Sequence, residues 1–324
     1  MLTAPDRTLA RQPRAVATVA IEVAAGARLG ELQAAWRDLL ARADVANVFM
    51  HPSLAALDAC DPNTRVVTLL AWREHEGRRH LAGTWTFGIR QAPRSIIPIS
   101  TLTAPAFAHV FLGSPVIDRD MLEATLTAML DHIADDPRLP NILALDDMRA
   151  DSATMQALKR VLAARGSKPC IMRRSSRPML ASRRDAKSYF ETALSASSRK
   201  KLRQHRRRLA EQGAIESIKI TELGTLSHAV EDFLTLEAAG WKGRKHTALL
   251  CNPADANFAR QLVSTLAPQG DAWIHAITLD RRRVTPRPDE QPMRGQSLLE
   301  ILGEHGAGVG PDHEVVAQDR KSVV

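Results

Sequence analysis

The chain has 324 residues, 44% of them hydrophobic, which is enough for two ordinary domains with cores of their own, and its formal charge is +8. Most of that charge is local, because residues 194–213, LSASSRKKLRQHRRRLAEQG, carry seven basic side chains against one acid; this argues against a protein coated for DNA. Cys60, Cys170 and Cys251 lie far apart without metal-ligand spacing, and no run reaches the roughly eighteen apolar residues of a membrane span, so a cytoplasmic setting without a transmembrane segment is expected.

A polar leader over 1–14, expected to be flexible, precedes AVATVAIEVAAGA. Arg7, Arg11 and Arg14 before that run imitate a secretory signal, but Glu22 inside it opposes translocon insertion, so a strand over 15–23 is expected. Leu29, Leu32, Trp36, Leu39 and Leu40 follow near helical spacing and predict an amphipathic helix over 30–43. Two β-rich runs around EHEGRR predict a hairpin with strands near 66–72 and 81–89. HVFLGSPVID is a short apolar run, and RDMLEATLTAMLDHIA is helical, with Met121, Leu122, Leu126, Met129, Leu130 and Ile133 on one side. NILALDDMRAD predicts a buried strand; Asp151 or Ser152 can cap the next helix, ATMQALKRVLAARG, which stops at Gly166. KPCIMRRSSRPML predicts a strand that closes an α/β unit with a mixed sheet over 15–180.

The pattern then restarts over 181–280. A short helix, AKSYFETAL, leads into the basic stretch, followed by strand IESIKITEL, helix LSHAVEDFLTLEAAGW, helix NFARQLVSTLAP and strand DAWIHAITLD. Similar orders in both halves suggest a tandem pair of one fold. From Arg281 the character changes, with three prolines in twelve positions and no aromatic residue, and 281–324 is expected to be an aberrant, disordered tail. The strand ending at Asp280 shows no hairpin partner after it.

Familiar catalytic constellations are missing. Asp146 and Asp147 are neighbours on a strand and point to opposite faces, so they mark a turn rather than an acid/base pair. No histidine pair has HExxH or finger spacing, GEHGAGVG lacks the strand–loop–helix context of a phosphate cradle, and no GxSxG elbow or activated thiol is evident. In TLEAAGWKGRKHTALL, Glu237, Trp241 and Lys242 fall where a helix runs into a loop flanked by Gly240 and Gly243, a candidate ligand contact.

In the basic stretch, Ser195 is a good N-cap and Gly213 a good stop, giving a helix of four or five turns. Leu194, Ser198, Leu202, His205 and Leu209 form a narrow stripe, expected to pack against the body, and cations fill the rest. Three uses stay open: a solvated helix or one lining a site for an anionic ligand, a nucleic-acid contact, and a membrane surface. Stacking aromatics for the second and a wide apolar face for the third do not accompany it.

Taken in order, LSASSRKKLRQHRRRLAEQG, a strand, FLTLEAAGWKGRKHTALL and FARQLVSTLAPQGDAWIHAITLD resemble GNAT-type acyltransferases of the CelD-like branch, named for a cellulose-biosynthesis protein and related to tandem peptidoglycan aminoacyl transferases. The matching positions are Ser197, Lys200, Lys201, Leu202 and Arg203 of the basic helix, then Glu237, Trp241 and Lys242. The match covers about 185–280, and 20–180 in architecture alone. It implies α/β tandem GNAT-like domains with mixed central sheets, and transfer of an acyl group from acetyl-CoA or another acyl-CoA to a small-molecule amine acceptor, such as a sugar or cell-envelope precursor. Neither metal nor covalent intermediate is implied. Arg199, Arg203, Glu237, Trp241 and Lys242 become the substrate-binding candidates, with Arg199, Arg203 and Lys242 facing an anionic acceptor or the cofactor phosphates; no catalytic base is singled out. After Asp280 the sequence LDRRRVTPRP keeps the family register for four or five residues and then leaves it, as a shifted reading frame does, so the second domain is expected to be truncated. The competing class is a non-enzymatic module binding nucleic acid or an anionic surface through helix 195–213.

Overall fold

The computed structural model describes residues 18–57, 65–91, 99–106, 109–176, 182–280 and 282–283. β1 (Val19–Ala24) runs antiparallel to β2 (Arg65–His75), which turns into β3 (Arg78–Gln91). The turn residues Glu76 and Gly77 have φ of 52° and 71°, so the two-residue loop has the handedness of the strands it joins. Residues 81–88 of β3 are buried on both faces, which is why that strand is continuously rich in apolar and small residues rather than alternating. β4 (Ser100–Ala104) and the short β5 (Val116–Ile117) pair antiparallel with β3, and β6 (Leu143–Leu145) lies parallel to β4. The order β1-β2-β3-β4-β6, with β5 off the path, is thus a mixed six-stranded sheet.

A parallel step needs a crossover, and α4 (Leu122–Asp135) supplies it. Before the hairpin come α1 (Ala27–Gly30), α2 (Gln33–Arg42) and α3 (Pro52–Ala55), and after β6 comes α5 (Ala153–Ala164). The apolar stripes meet in one core: Trp36, Leu39 and Leu40 of α2, Leu126, Met129 and Ile133 of α4, Ala157, Leu158 and Val161 of α5, and Trp85 and Phe87 of β3, whose ring centres lie 4.8 Å apart. Ser152 caps α5, its Oγ accepting from the Met155 N–H at 3.1 Å.

In the second half, α6 (Ala186–Ala193) and α7 (Ala196–Ala210) precede β7 (Ile215–Ile220). α8 (Leu223–Ala239), α9 (Trp241–Arg244) and α10 (Pro253–Leu266) separate it from β8 (Ile274–Leu279) and β9 (Arg282–Arg283). These three strands form a small antiparallel sheet in the order β7-β8-β9. Ile220 and Ile274 pack with Leu226, Val230 and Leu234 of α8 and Val263 and Leu266 of α10. Ile277 of β8 is exposed. Strand, helices, strand, strand, with the first strand beside the second and the second beside the third, is the same order as β1 to β3.

The halves touch through Phe258 of α10, which joins Leu54, Leu57, Ala106 and Val110 in a small shared core. Polar contacts surround it: His109 Nε2 lies 3.0 Å from Asp255 Oδ1, and Arg37 donates to Asp271 Oδ2 and to the Gln269 carbonyl, both at 3.2 Å.

Several expectations change. The helix predicted over 30–43 is observed as α2, which starts at Gln33 after a turn at residues 31–32 that separates it from the short α1. Residues 168–176, predicted as a closing strand, form none and are exposed; the rest of that segment, 177–180, lies outside the described residues. The adjacent Ile171 and Met172 would point to opposite sides of a strand, so the segment offers no single apolar face to a sheet. The edge of β8 after Asp280 does have a partner, because Thr278 and Leu279 pair with Arg283 and Arg282. Asp280 turns the chain at φ 48°, a conformation that Asp tolerates, and its carboxylate accepts from the Ala214 N–H at 2.8 Å. The leader 1–14 and the tail from residue 284 lie outside the described residues.

Candidate active site

α8 ends in a tight corner that gathers three of the five sequence-predicted residues. Glu237, in its last turn, is 6% exposed, yet its carboxylate is satisfied: Oε1 accepts from Lys242 Nζ and Oε2 from the Leu249 N–H, each at 2.8 Å. One buried acid thus ties the end of α8 to both ends of the loop that follows. Gly243 makes the corner possible, since a Cβ there would overlap the Ala238 carbonyl and cannot be relieved by a side-chain movement. The Thr247 N–H donates to the Lys242 carbonyl at 2.9 Å and His246 takes φ 54°, closing the loop.

Trp241 is left at the surface, 41% exposed, with Lys245 Nζ 5.5 Å from its ring centre. An exposed indole face under a cation is a platform for a planar or anionic group. Lys245 was missed by sequence reasoning; its signal was the four-residue step from Trp241 through a helical turn. Glu237 and Lys242 bind each other, which gives both a positioning role at this corner.

Arg199 and Arg203 come from a different element, α7, whose principal packing neighbour is α6. Ser195 caps α7 as expected, accepting from the Ser198 N–H at 3.1 Å. The expectation that its apolar stripe packs against the body is overturned: α7 has no buried residue, and Leu202 is 53% exposed. The physical reason is that α8 and α10 already cover the core face of β7 and β8, leaving no uncovered apolar surface there for a third helix.

The first half presents a different, closely packed arrangement. At the ends of the parallel pair β4 and β6, Gly113 is pressed against the carbonyls of Ala104 and Asp146, where a Cβ would not fit. Its own carbonyl accepts from Trp85 Nε1 at 3.2 Å, and Asn47 Nδ2 donates to the carbonyls of Leu112 at 2.9 Å and Ser114 at 2.6 Å. β4 and β6 stay bonded up to this end, the Asp146 N–H donating to the Ala104 carbonyl at 2.7 Å. Asp146 and Asp147 form a turn, Asp147 at φ 54° with its carbonyl accepting from the Gly113 N–H. Beside the first turn of α4 stand Asp118, Asp120 and Glu123; Asp118 is buried, paired with Arg42, and accepts from the Asp120 N–H at 3.1 Å. Glu123 in the first turn of α4 sits where a helix N-terminus favours negative charge. The cations of α7 fit a phosphorylated ligand in charge.

Among the described residues no three His, Cys, Asp or Glu side chains are grouped to hold a metal ion, and no helix is long and apolar enough to cross a membrane. The family model of the acetyltransferase (GNAT) domain matches residues 196–285, the stretch from α7 to β9. No curated protein and no solved structure matches the chain.

Proposed function

With an acetyltransferase (GNAT) domain over residues 196–285 as premise, we propose that the chain is an N-acyltransferase of the CelD-like branch, working in the cytoplasm. Domains of this kind transfer acyl groups from acyl-CoA, so the donor is acetyl-CoA or another acyl-CoA, and the acceptor is a small-molecule amine of a sugar or cell-envelope precursor. The observation that carries the reading is the coincidence of that match with one structural unit, α7 through β9, whose element order repeats that of the first half.

When bound, the donor supplies an acyl thioester already activated towards an amine. The roles left to the protein are binding and orientation, which in well-placed pairs are worth about 7–11 kcal/mol of barrier. Arg199 and Arg203 attract the phosphates or an anionic acceptor. Trp241 offers the flat contact, and Glu237 with Lys242 holds the loop that presents it. The first half, at 15–180, is a scaffold docked through the Phe258 core, and phosphate binding is assigned to the basic second half, at 181–280. We further propose that the reading frame shifts after Asp280: the domain match ends at residue 285, where the sequence leaves the family pattern, and resequencing the locus tests this.

The activity is tested by following thiol release from acetyl-CoA with a panel of amines. Release that depends on an amine and falls at least tenfold in Arg199→Gln/Arg203→Gln is expected. A saturating donor should also stabilise the fold, by about 2.7 kcal/mol at one hundred times its Kd. Salt-dependent DNA binding with no response to acyl-CoA would replace this reading by a non-enzymatic basic module.

A further inference from the structure

α7 is basic on all but one strip, of which the described residues leave Leu202 and His205 exposed and Ser198 and Leu209 half-buried. With about 3.6 residues per turn, Ser198, Leu202, His205 and Leu209 fall on one line. Lys201 and Arg208 flank it on one side and Arg199 and Arg206 on the other, while Lys200, Arg203 and Arg207 lie opposite. Of the seven cations between 199 and 208, six are exposed and Arg199 is half-buried. Leu202 is 53% exposed, and on α6, packed beside α7, Phe190 is 51% exposed. The acid on α7 is Glu211 at its end, 3.5 Å from Arg207.

A single exposed leucine is ordinary, but Leu202 stands between cations on both edges of its strip, and a second exposed apolar side chain, Phe190, lies on the neighbouring helix. A lipid surface takes both. The leucine and phenylalanine side chains enter the acyl boundary, while the flanking Lys and Arg extend their stems upward and leave their charges among anionic headgroups. Duplex DNA accounts for the far side of α7 equally well but gives no place to Leu202 or Phe190, and α7 has no aromatic residue on which a base can stack. Two exposed apolar residues make a narrow wedge, so attachment is reversible and needs the charge as well.

We propose that the α6–α7 pair docks the protein on an anionic lipid surface, with Leu202 and Phe190 inserted and Lys201, Arg206 and Arg208 on headgroups. Arg199, half-buried on the same edge as Arg206, and Arg203 are not assigned to the contact, and the test variants leave both in place.

The test is co-sedimentation of the full chain with vesicles of phosphatidylcholine alone and of phosphatidylcholine carrying phosphatidylglycerol, at low and high salt. Binding to the anionic vesicles alone, weakened by salt, is expected. Lys201→Gln/Arg206→Gln/Arg208→Gln should lose about a hundredfold in affinity, taking each basic residue at its usual contribution near a charged surface. Leu202→Glu should lose tenfold or more; both variants change exposed side chains, and circular dichroism verifies that helix content is kept. Equal binding to neutral vesicles, no binding to either, or Leu202→Glu binding like the parent overturns the proposal. So does a duplex DNA that displaces the protein from vesicles and binds Leu202→Glu unchanged, or a sedimentation-equilibrium dimer that Leu202→Glu dissolves.

Discussion

Replacing Glu237 tests whether the corner after α8 is built on one buried carboxylate. In Glu237→Gln the shape is kept, but the amide accepts at one end and donates at the other, so either Lys242 Nζ or the Leu249 N–H faces a donor. Lys242, with its side chain about a third exposed, can turn to water, whereas the Leu249 amide is held in the loop. One unsatisfied, partly buried donor costs about 1–2 kcal/mol. Glu237→Ala removes both bonds and leaves a void, for about 3 kcal/mol. Lys242→Met leaves the acid with its backbone donor, and because water reaches the lysine end the cost should stay near 1 kcal/mol. Urea unfolding followed by tryptophan fluorescence measures all three. Glu237→Gln and Glu237→Ala both within about 0.5 kcal/mol of the parent, or Lys242→Met exceeding Glu237→Ala, would refute the account. Kinetics adds a second reading: a positioning role lowers kcat and the folded fraction together, whereas direct substrate contact by Glu237 raises KM in protein that remains folded.

Gly243→Ala should destabilise the second half by more than about 2 kcal/mol, because the new methyl meets the Ala238 carbonyl; melting like the parent would show that the corner can open. Phe258→Ala should cost about 3 kcal/mol and speed proteolysis between the halves, since that ring fills the core they share; an unchanged cleavage pattern would mean that polar contacts alone hold them. His51 is buried between Trp36 and Asp271, its Nδ1 accepting from the Ser53 N–H at 3.1 Å. Burial chiefly, with Arg37 adding and Asp271 opposing, lowers its pKa from 6.5 to about 4. Between those values the unfolded chain takes up a proton that the folded one refuses, so stability should fall as pH drops from 6.5 toward 4, by on the order of 3 kcal/mol in full. In His51→Asn, a neutral residue able to cap α3, that part of the slope should vanish from urea midpoints measured at pH 5 and pH 7; equal slopes would refute it.

Local rules made much of the architecture legible in advance. The caps at Ser152 and Ser195, the turn at Glu76–Gly77 and the apolar stripes of α2, α4 and α5 are all settled by residues within one or two turns of each other. The cluster Glu237, Trp241 and Lys242 was visible for the same reason, being held within a single helix–loop boundary. What each member does there was not. Glu237 is buried because a backbone N–H twelve residues on finds its carboxylate, and periodicity carries no record of that. Likewise, no glycine stands in the sequence between β8 and β9 to signal their pairing, and prolines follow closely.

The α/β order and the charged character of α7 follow from side-chain period, caps and composition, whereas similar element orders could only suggest a tandem, with no residue-level repeat behind them. Which apolar strips are covered, and that Phe258 joins the two halves, depend on the folded arrangement. An amphipathic period states that a helix has an apolar side; which surface receives that side, or whether any does, depends on the space left by every other element.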